Sequence, residues 1–492
     1  MTREYDGLFA ASRLYASIVF AAGATLGFFF WYGAIVPTRS GVLSELALLF
    51  CVPAGAVVSI VLWRWYGAYF ARRSGIRLAH SLRYDALTWL PFLILWLTFA
   101  VTPLEGGSRY FAIAVAIFAV AKVIVAARFN QTVREVLVDF LISRAVVIVI
   151  AELAAVIIGQ RPGPHVQESR HVLLAVWGRW DAVHYLTIAA QGYSGIEPAF
   201  FPLYPLLIRL VGHFTQTDLI AGLLISNAAF FFGLLYLYKL LEHEFDRTVA
   251  RRAIFYISIF PTAIYFSAVY TESLFLFLTV ASFYYMRSGR WLVAGIFGFF
   301  AALTRAEGLI LIVPFALEWF ARYRDEPLRG LRDALAGFLI PIGLGCYMAY
   351  LWVLRGDALY FTHVQKHWGR QAALPWVSVA NSFHRMTHAV AGQTVANQAL
   401  ELVFTALMIF VLVAGWRRLR VSYVAYMGLS ILAPMCTASL MSMPRFALVL
   451  FPMFAILARW GDRPWANNLI VAFSFPLLAL FTILFANWYW VA

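Results

Sequence analysis

Charge is what this sequence has least of. Only 13% of its 492 residues are Asp, Glu, Lys or Arg, about half the roughly 25% of ordinary soluble domains. Lysine occurs at Lys122, Lys239 and Lys366 alone. Cysteine is nearly as scarce. Cys51, Cys346 and Cys436 all sit in apolar runs and none forms a C-x-x-C pair. A disulfide framework, a zinc ribbon and a dithiol redox pair are thereby excluded. No glycine-rich strand-to-helix loop is present to cradle a nucleotide phosphate. No basic tail or RNA-type motif points to nucleic acid.

What the sequence has in abundance is apolar surface. Hydrophobic residues make up 63% and the mean hydropathy is +0.78. A soluble core of this length cannot hide that much. The expected class is an all-α, polytopic integral membrane protein. Long apolar runs bounded by charge, Gly or Pro predict spans near 14–36, 42–62, 86–101, 109–127, 137–159, 217–239, 252–266, 272–286, 291–304, 308–321, 334–354, 396–414, 421–440, 446–459 and 467–490. That is roughly 15 transmembrane or half-spanning helices, since several runs fall short of the ~20 residues that cross alone. The first run is longer than a signal-peptide core and lacks a small-residue cleavage site, so it reads as a retained span.

The formal net charge of +14 reads as topology. With the N-terminus inside, every inner loop is basic, from Arg64, Arg72, Arg73, Arg77 and Arg83 through Arg417, Arg418 and Arg420 to Arg459 and Arg463. This is the positive-inside pattern. Two long loops, 160–216 and 355–395, then face outward with eight of the ten histidines. Loops of that length usually carry function. Asn130-Gln131-Thr132 falls on the inner side, where a glycosylation sequon is not used.

Ionisable residues gather at the outer ends of the predicted spans. In Trp177-Gly178-Arg179-Trp180-Asp181-Ala182-Val183-His184-Tyr185, helical spacing puts Asp181 and His184 on one face, with Trp177, Trp180 and Tyr185 as interface contacts. Asp181 reads either as a general base for an acceptor hydroxyl or as a residue of an interfacial helix that caps it or pairs with Arg179. Arg305 and Arg445 sit outside against the charge trend. They read as phosphate ligands, or as snorkelling side chains, Arg305 pairing with Glu307. Tyr270 and Glu272 stand just before a span, positioning substrate or capping the helix. Glu152 lies well inside a span and either faces a cavity or pairs with an Arg. Lys366 and His367 adjoin Trp368 in the second outer loop. His363/His367 and His384/His388 have a His-x-x-x-His spacing with no Glu or Cys beside them, a weak metal signal.

The run Arg179-Trp180-Asp181-Ala182-Val183-His184-Tyr185, followed by Gly192-Tyr193 and Ala199-Phe200-Phe201-Pro202-Leu203-Tyr204-Pro205, resembles the PIG-V family of the GPI mannosyltransferase 2 type. Tyr270-Thr271-Glu272-Ser273-Leu274-Phe275 and Leu303-Thr304-Arg305-Ala306-Glu307-Gly308 resemble its later motifs, and Gln365-Lys366-His367-Trp368-Gly369-Arg370 again looks family-like. The resemblance covers roughly 137–460. It implies a GT-C-like bundle and a glycosyltransferase that moves a sugar, mannose foremost, from a polyprenyl-phosphate carrier to an acceptor hydroxyl with inversion.

In that reading Asp181 is catalytic, and Arg305, Lys366, His367 and Arg445 hold the donor phosphate. Trp180, His184, Tyr185, Tyr270, Glu272 and Glu307 position substrate. No metal or other cofactor is expected. The partners are the lipid-linked donor, a glycolipid, polysaccharide or protein acceptor, and membrane lipids. The expected setting is a bacterial plasma membrane with the site on its outer face. Residues 1–127 form a four-span extension ahead of a core at 128–492. Where the family often reads Arg-x-Asn-Gly, this chain has Arg305-Ala306-Glu307-Gly308. The alternatives are a lipid-linked sugar flippase, which would spread charges along a pathway and favour repeated halves, or a silent accessory subunit.

Overall fold

The computed structural model describes residues 130–158, 161, 172–389 and 392–491, with a few positions between 120 and 128. The four-span extension expected over 1–127 lies almost wholly outside the described residues, as does 162–171 of the first outer loop. The chain forms two compact units, Met1–Leu137 with His213–Gln216, and Val138–Gly212 with Thr217–Ala492. In the first unit Asn130 caps the helix that follows, its Oδ1 accepting from the Val133 amide at 3.1 Å.

All described secondary structure in the second unit is helical apart from one isolated bridge. The α-helices of seven residues or more are α1 (Gln131–Ile157, which begins in the first unit), α2 (Asp181–Gln191), α3 (Leu203–Thr215), α4 (Asp218–Glu244), α5 (Arg247–Ser258), α6 (Glu272–Arg287), α7 (Trp291–Thr304), α8 (Ile312–Tyr323), α9 (Leu339–Arg355), α10 (Pro375–His388), α11 (Gln393–Gly415), α12 (Val421–Met435), α13 (Met443–Val449), α14 (Phe451–Trp460) and α15 (Pro464–Ala486). Helices α1, α4, α11 and α15 and the stretch Pro327–Arg355 are each long and apolar enough to cross a bilayer. The chain is a polytopic all-α membrane protein.

Each predicted span from 137–159 onward corresponds to a helix, and three differ in ways that shape the site. The span expected over 252–266 is α-helical only to Ser258, with a short 3-10 helix at Ala263–Phe266. The irregular backbone beyond it is tolerated because it is buried and satisfied from inside the protein. Arg144, on α1, donates to the carbonyls of Ala263 (2.8 Å) and Ser258 (3.0 Å) and to Ser267 Oγ (3.1 Å). The span expected over 421–440 ends at Met435, one residue past Pro434. Residues 436–438 instead pair with 371–373, Ala373 donating to Cys436 O at 3.0 Å and Ala438 to Gln371 O at 2.8 Å. The span expected over 446–459 starts earlier, at Met443, and bends by 75° between α13 and α14. Pro452 follows the bend, where it removes an amide donor and clashes with the preceding turn.

One end of the helices is tied by charge. Glu318 on α8 accepts from Arg287 of α6 (3.1 Å), Arg420 (3.0 Å) and Ser422 of α12 (2.5 Å). Arg287 also pairs with Glu244 of α4. The other end carries a different cluster.

Candidate active site

The first turn of α2, the first of α6, the end of α7 and the first of α13 converge, and each delivers one charged side chain. Arg445 is the hub. Its Nη1 donates to Asp181 Oδ2 at 2.6 Å, and its Nε and Nη2 reach Glu272 Oε1 at 2.7 and 2.6 Å. Arg305 Nη1 shares the same Glu272 oxygen at 3.1 Å, and its Nε lies 3.5 Å from Glu307 Oε2. Glu272 is fully buried, so two guanidiniums compensate one carboxylate where water cannot. This is the arrangement a desolvated anion requires. Arg305 dominates the favourable interactions of Glu307, between α7 and α8, and holds its carboxyl below the usual range although burial pushes it up.

Aromatic rings and backbone geometry fix the cluster. The Arg445 guanidinium lies 4.8 Å from the Tyr270 ring centroid, 5.0 Å from Tyr265 and 5.8 Å from Trp490. Tyr270 Oη accepts from the Asp181 amide (3.2 Å) and donates to Arg179 O (3.1 Å). Trp180 adopts φ 59° and Ser442 φ 74°. These are costly conformations for side-chain-bearing residues, of the kind that gather at functional sites. One sets the entry of Asp181 into α2 and the other the entry of Arg445 into α13.

Beside the cluster is a cavity of 820 Å³, within the size range of ligand sites. Asp181, Tyr185, Arg305, Glu307, Arg370 and Arg445 line its charged part. Leu309, Ile310, Ile312 and Val313, entering α8, and Leu429, Leu432 and Ala433 of α12 line the rest. Leu429 is six residues from the end of α12, about 9 Å along the axis at 1.5 Å per residue. Leu432 is 45% exposed, so the apolar side reaches the molecular surface. The cavity is amphipathic, charged at the helix ends and apolar alongside them.

The sequence-predicted residues divide accordingly. Asp181, Tyr185, Arg305, Glu307 and Arg445 line the cavity, and Glu272 and Tyr270 lie buried behind it. Trp180 packs on Trp488 and Trp490 at 5.7 and 5.4 Å between centroids. His184 stacks on Phe200 at 4.6 Å, with Nδ1 3.8 Å from Glu197. Neither Trp180 nor His184 is in the lining. Lys366 and His367 are exposed and also outside it; from the same loop Gln365, Trp368 and Arg370 face in. Glu152 accepts from Trp177 Nε1 at 2.9 Å, away from the cavity. His363 pairs with Asp357 at 2.7 Å, and the His384 and His388 rings lie 4.0 Å apart. Among the described residues no group of three or more His, Cys, Asp or Glu is arranged so that it could hold a metal ion.

The aromatic run at 200–205 is part wall and part scaffold, with Phe200 and Phe201 in the cavity lining. Phe201 packs with Tyr347, Leu351 and Phe361. Tyr204 Oη lies 2.6 Å from Ser226 Oγ, which donates to Tyr270 O at 3.3 Å, so the run supports Tyr270 from beneath. Sequence reasoning missed Arg370 and Trp490. Arg370 stands in a motif already singled out, so direction was the missing information. Trp490 follows the last helix, far from every motif, and nothing in the sequence signals its place.

Residues 117–325 match the family model described as Mannosyltransferase (PIG-V). The GPI mannosyltransferase 2 of Cryptococcus neoformans var. neoformans serotype D is 31% identical over 160 residues, covering 30% of this chain and 37% of the relative. The GPI alpha-1,6-mannosyltransferase 2 of Rattus norvegicus is 28% identical over 216 residues, covering 38% and 43%. The GPI mannosyltransferase 2 of Yarrowia lipolytica is 28% identical over 167 residues, covering 33% and 46%. The chain thus spans less than half the length of these relatives. No solved structure matches it. The matched segment contains Asp181, Glu272, Arg305 and Glu307, and over it the chain is similar to the PIG-V mannosyltransferases.

Proposed function

We propose that the protein is a membrane mannosyltransferase that takes its sugar from a polyprenyl-phosphate carrier. The observation that carries this reading is the amphipathic cavity. A lipid-linked sugar is itself amphipathic, with an isoprenoid tail, a phosphodiester and a sugar head in line. The apolar side between α8 and α12 suits the tail, and the guanidiniums suit the phosphate. A nucleotide-sugar donor would have no use for the apolar side.

In this reading Asp181 is the base. Its Oδ2 is held by Arg445, and its Oδ1 has no hydrogen-bond partner among the described residues. It takes the proton of the acceptor hydroxyl as that oxygen bonds to the anomeric carbon. The bond from that carbon to the phosphate oxygen breaks on the opposite face, its electron pair leaves with the phosphate, and configuration inverts. Charge developing on the phosphate is stabilised by fixed cations in a site of restricted water. Arg305 and Arg445 are the proposed cations of this set. Tyr185, Tyr270, Glu272 and Glu307 position the reacting groups; Trp180 and His184 support the walls. Lys366 and His367 stand outside the cavity and enter no step. The site faces the outside of the membrane, in keeping with the basic inner loops, and the acceptor is a glycolipid.

The test is transfer of labelled mannose from polyprenyl-phosphate-mannose to endogenous glycolipid in membranes carrying the wild-type chain or Asp181→Asn. Transfer should fall by about a hundredfold or more in the variant. A variant as active as wild type removes Asp181 from the base role. A wild type that translocates the labelled lipid without transferring its sugar supports the flippase reading instead.

A further inference from the structure

Three guanidiniums line the cavity, and only two are matched by carboxylates. Arg445 is bound to Asp181 and Glu272, and Arg305 to Glu272 and Glu307. The Arg370 guanidinium, on the loop after α9, makes one hydrogen bond among the described residues, from Nη2 to Met441 O at 2.9 Å, and lies 5.7 Å from the Phe446 ring. No carboxylate stands within ion-pair distance of it among the described residues. Burial lowers its affinity for the proton, the mark of a cation short of compensation. Trp368, two residues earlier, lines the cavity with it.

A phosphodiester entering the cavity meets these cations unequally. The charges of Arg305 and Arg445 are already matched by carboxylates, and drawing them off would leave Glu272 buried without a partner. Arg370 has donors left and gains compensation. We infer that Arg370 is a further residue that binds the phosphate of the lipid-linked donor, beside Arg305 and Arg445, which also hold the three carboxylates in place. The inference rests on the mannosyltransferase reading. It names Arg370, in place of the exposed Lys366 and His367, as the phosphate ligand of the second outer loop. Arginine suits the role because its planar fork meets two phosphate oxygens at once.

The experiment is equilibrium binding of labelled polyprenyl-phosphate-mannose to the purified full chain in phospholipid-free detergent. It compares wild type, Arg370→Gln and Arg370→Lys, so no acceptor is required. Arg370→Gln should weaken donor binding by about tenfold or more, the worth of a charged hydrogen bond. Arg370→Lys should recover part of it, since the charge returns without the fork. Binding of the uncharged polyprenol should not change. Undiminished donor binding by a folded Arg370→Gln overturns the inference. So does an equal loss of polyprenol binding, which would mean that Arg370 only ties its loop to residues 436–441. Phosphatidylglycerol competing as well as polyprenyl phosphate would make the position an ordinary headgroup site and overturn it too. Donor binding absent already in the wild type is the separate failure of the mannosyltransferase reading.

Discussion

At the residue scale, burial ranks the carboxylates of the cluster. Glu272 is fully buried and serves both Arg305 and Arg445, while the Glu307 side chain is 20% exposed and meets Arg305 alone. Removing one partner of a buried pair costs about 3–5 kcal/mol, and exposed pairs contribute far less. Glu272→Gln should therefore lower the thermal unfolding midpoint well below that of Glu307→Gln, with both read in the same detergent. Equal midpoints would show that the two guanidiniums are compensated elsewhere. The ordering also bears on chemistry. Glu272 holds Arg445, and Arg445 holds Asp181, so the fully buried carboxylate orients the proposed base from behind the cavity.

At the element scale, the end of α7 is placed by close packing against α9. Gly343 of α9 faces the α7 backbone, where a Cβ would stand 2.3 Å from Phe299 O; two residues on, Gly345 has nothing within 4 Å. Small residues let membrane helices approach to this degree. Gly343→Ala must push α7 away and with it Arg305, the residue after its last turn. It should cost about 1–3 kcal/mol as an overpacked contact and weaken donor binding. Gly345→Ala should be neutral or stabilising, by up to about 1 kcal/mol, since alanine is the better helix former. Thermal midpoints of the two variants check the pair. Similar gains in both would mean that helix propensity and not packing governs α9.

At the scale of the whole second unit, the charge clusters lie at opposite ends of the same helices. Glu307 and Glu318 are eleven residues apart along the connector and α8, which is about 16 Å of helix. The Glu318 knot joins α6, α8 and the start of α12, and the site joins α2, α6, α7 and α13. Glu318→Gln should lower the thermal midpoint by up to about 3 kcal/mol of stability. This is less than the full cost of a buried pair, because Arg420 is more than a third exposed. Donor binding should stay within about twofold of wild type. A parallel loss of donor binding would mean that the two ends are coupled through α6 and α8.

The sequence by itself determined the membrane class, the order of the helices and the end at which the candidate site gathers. These follow from local quantities, namely the length of apolar runs, the placement of arginine and a handful of short motifs. It also brought forward Asp181, Glu272, Arg305, Glu307 and Arg445, because ionisable groups at span ends are costly and therefore conspicuous. Only the tertiary structure decided who pairs with whom. Glu272 could be read as a helix cap until Arg305 and Arg445 were seen to share its oxygen. Lys366 and Arg370 are four residues apart in one loop, and only folding turns one to water and the other to the cavity. Trp490 reaches the site because α15 returns the chain to that end. Pairing, direction and return are set by contacts between residues distant in sequence, so no local pattern encodes them.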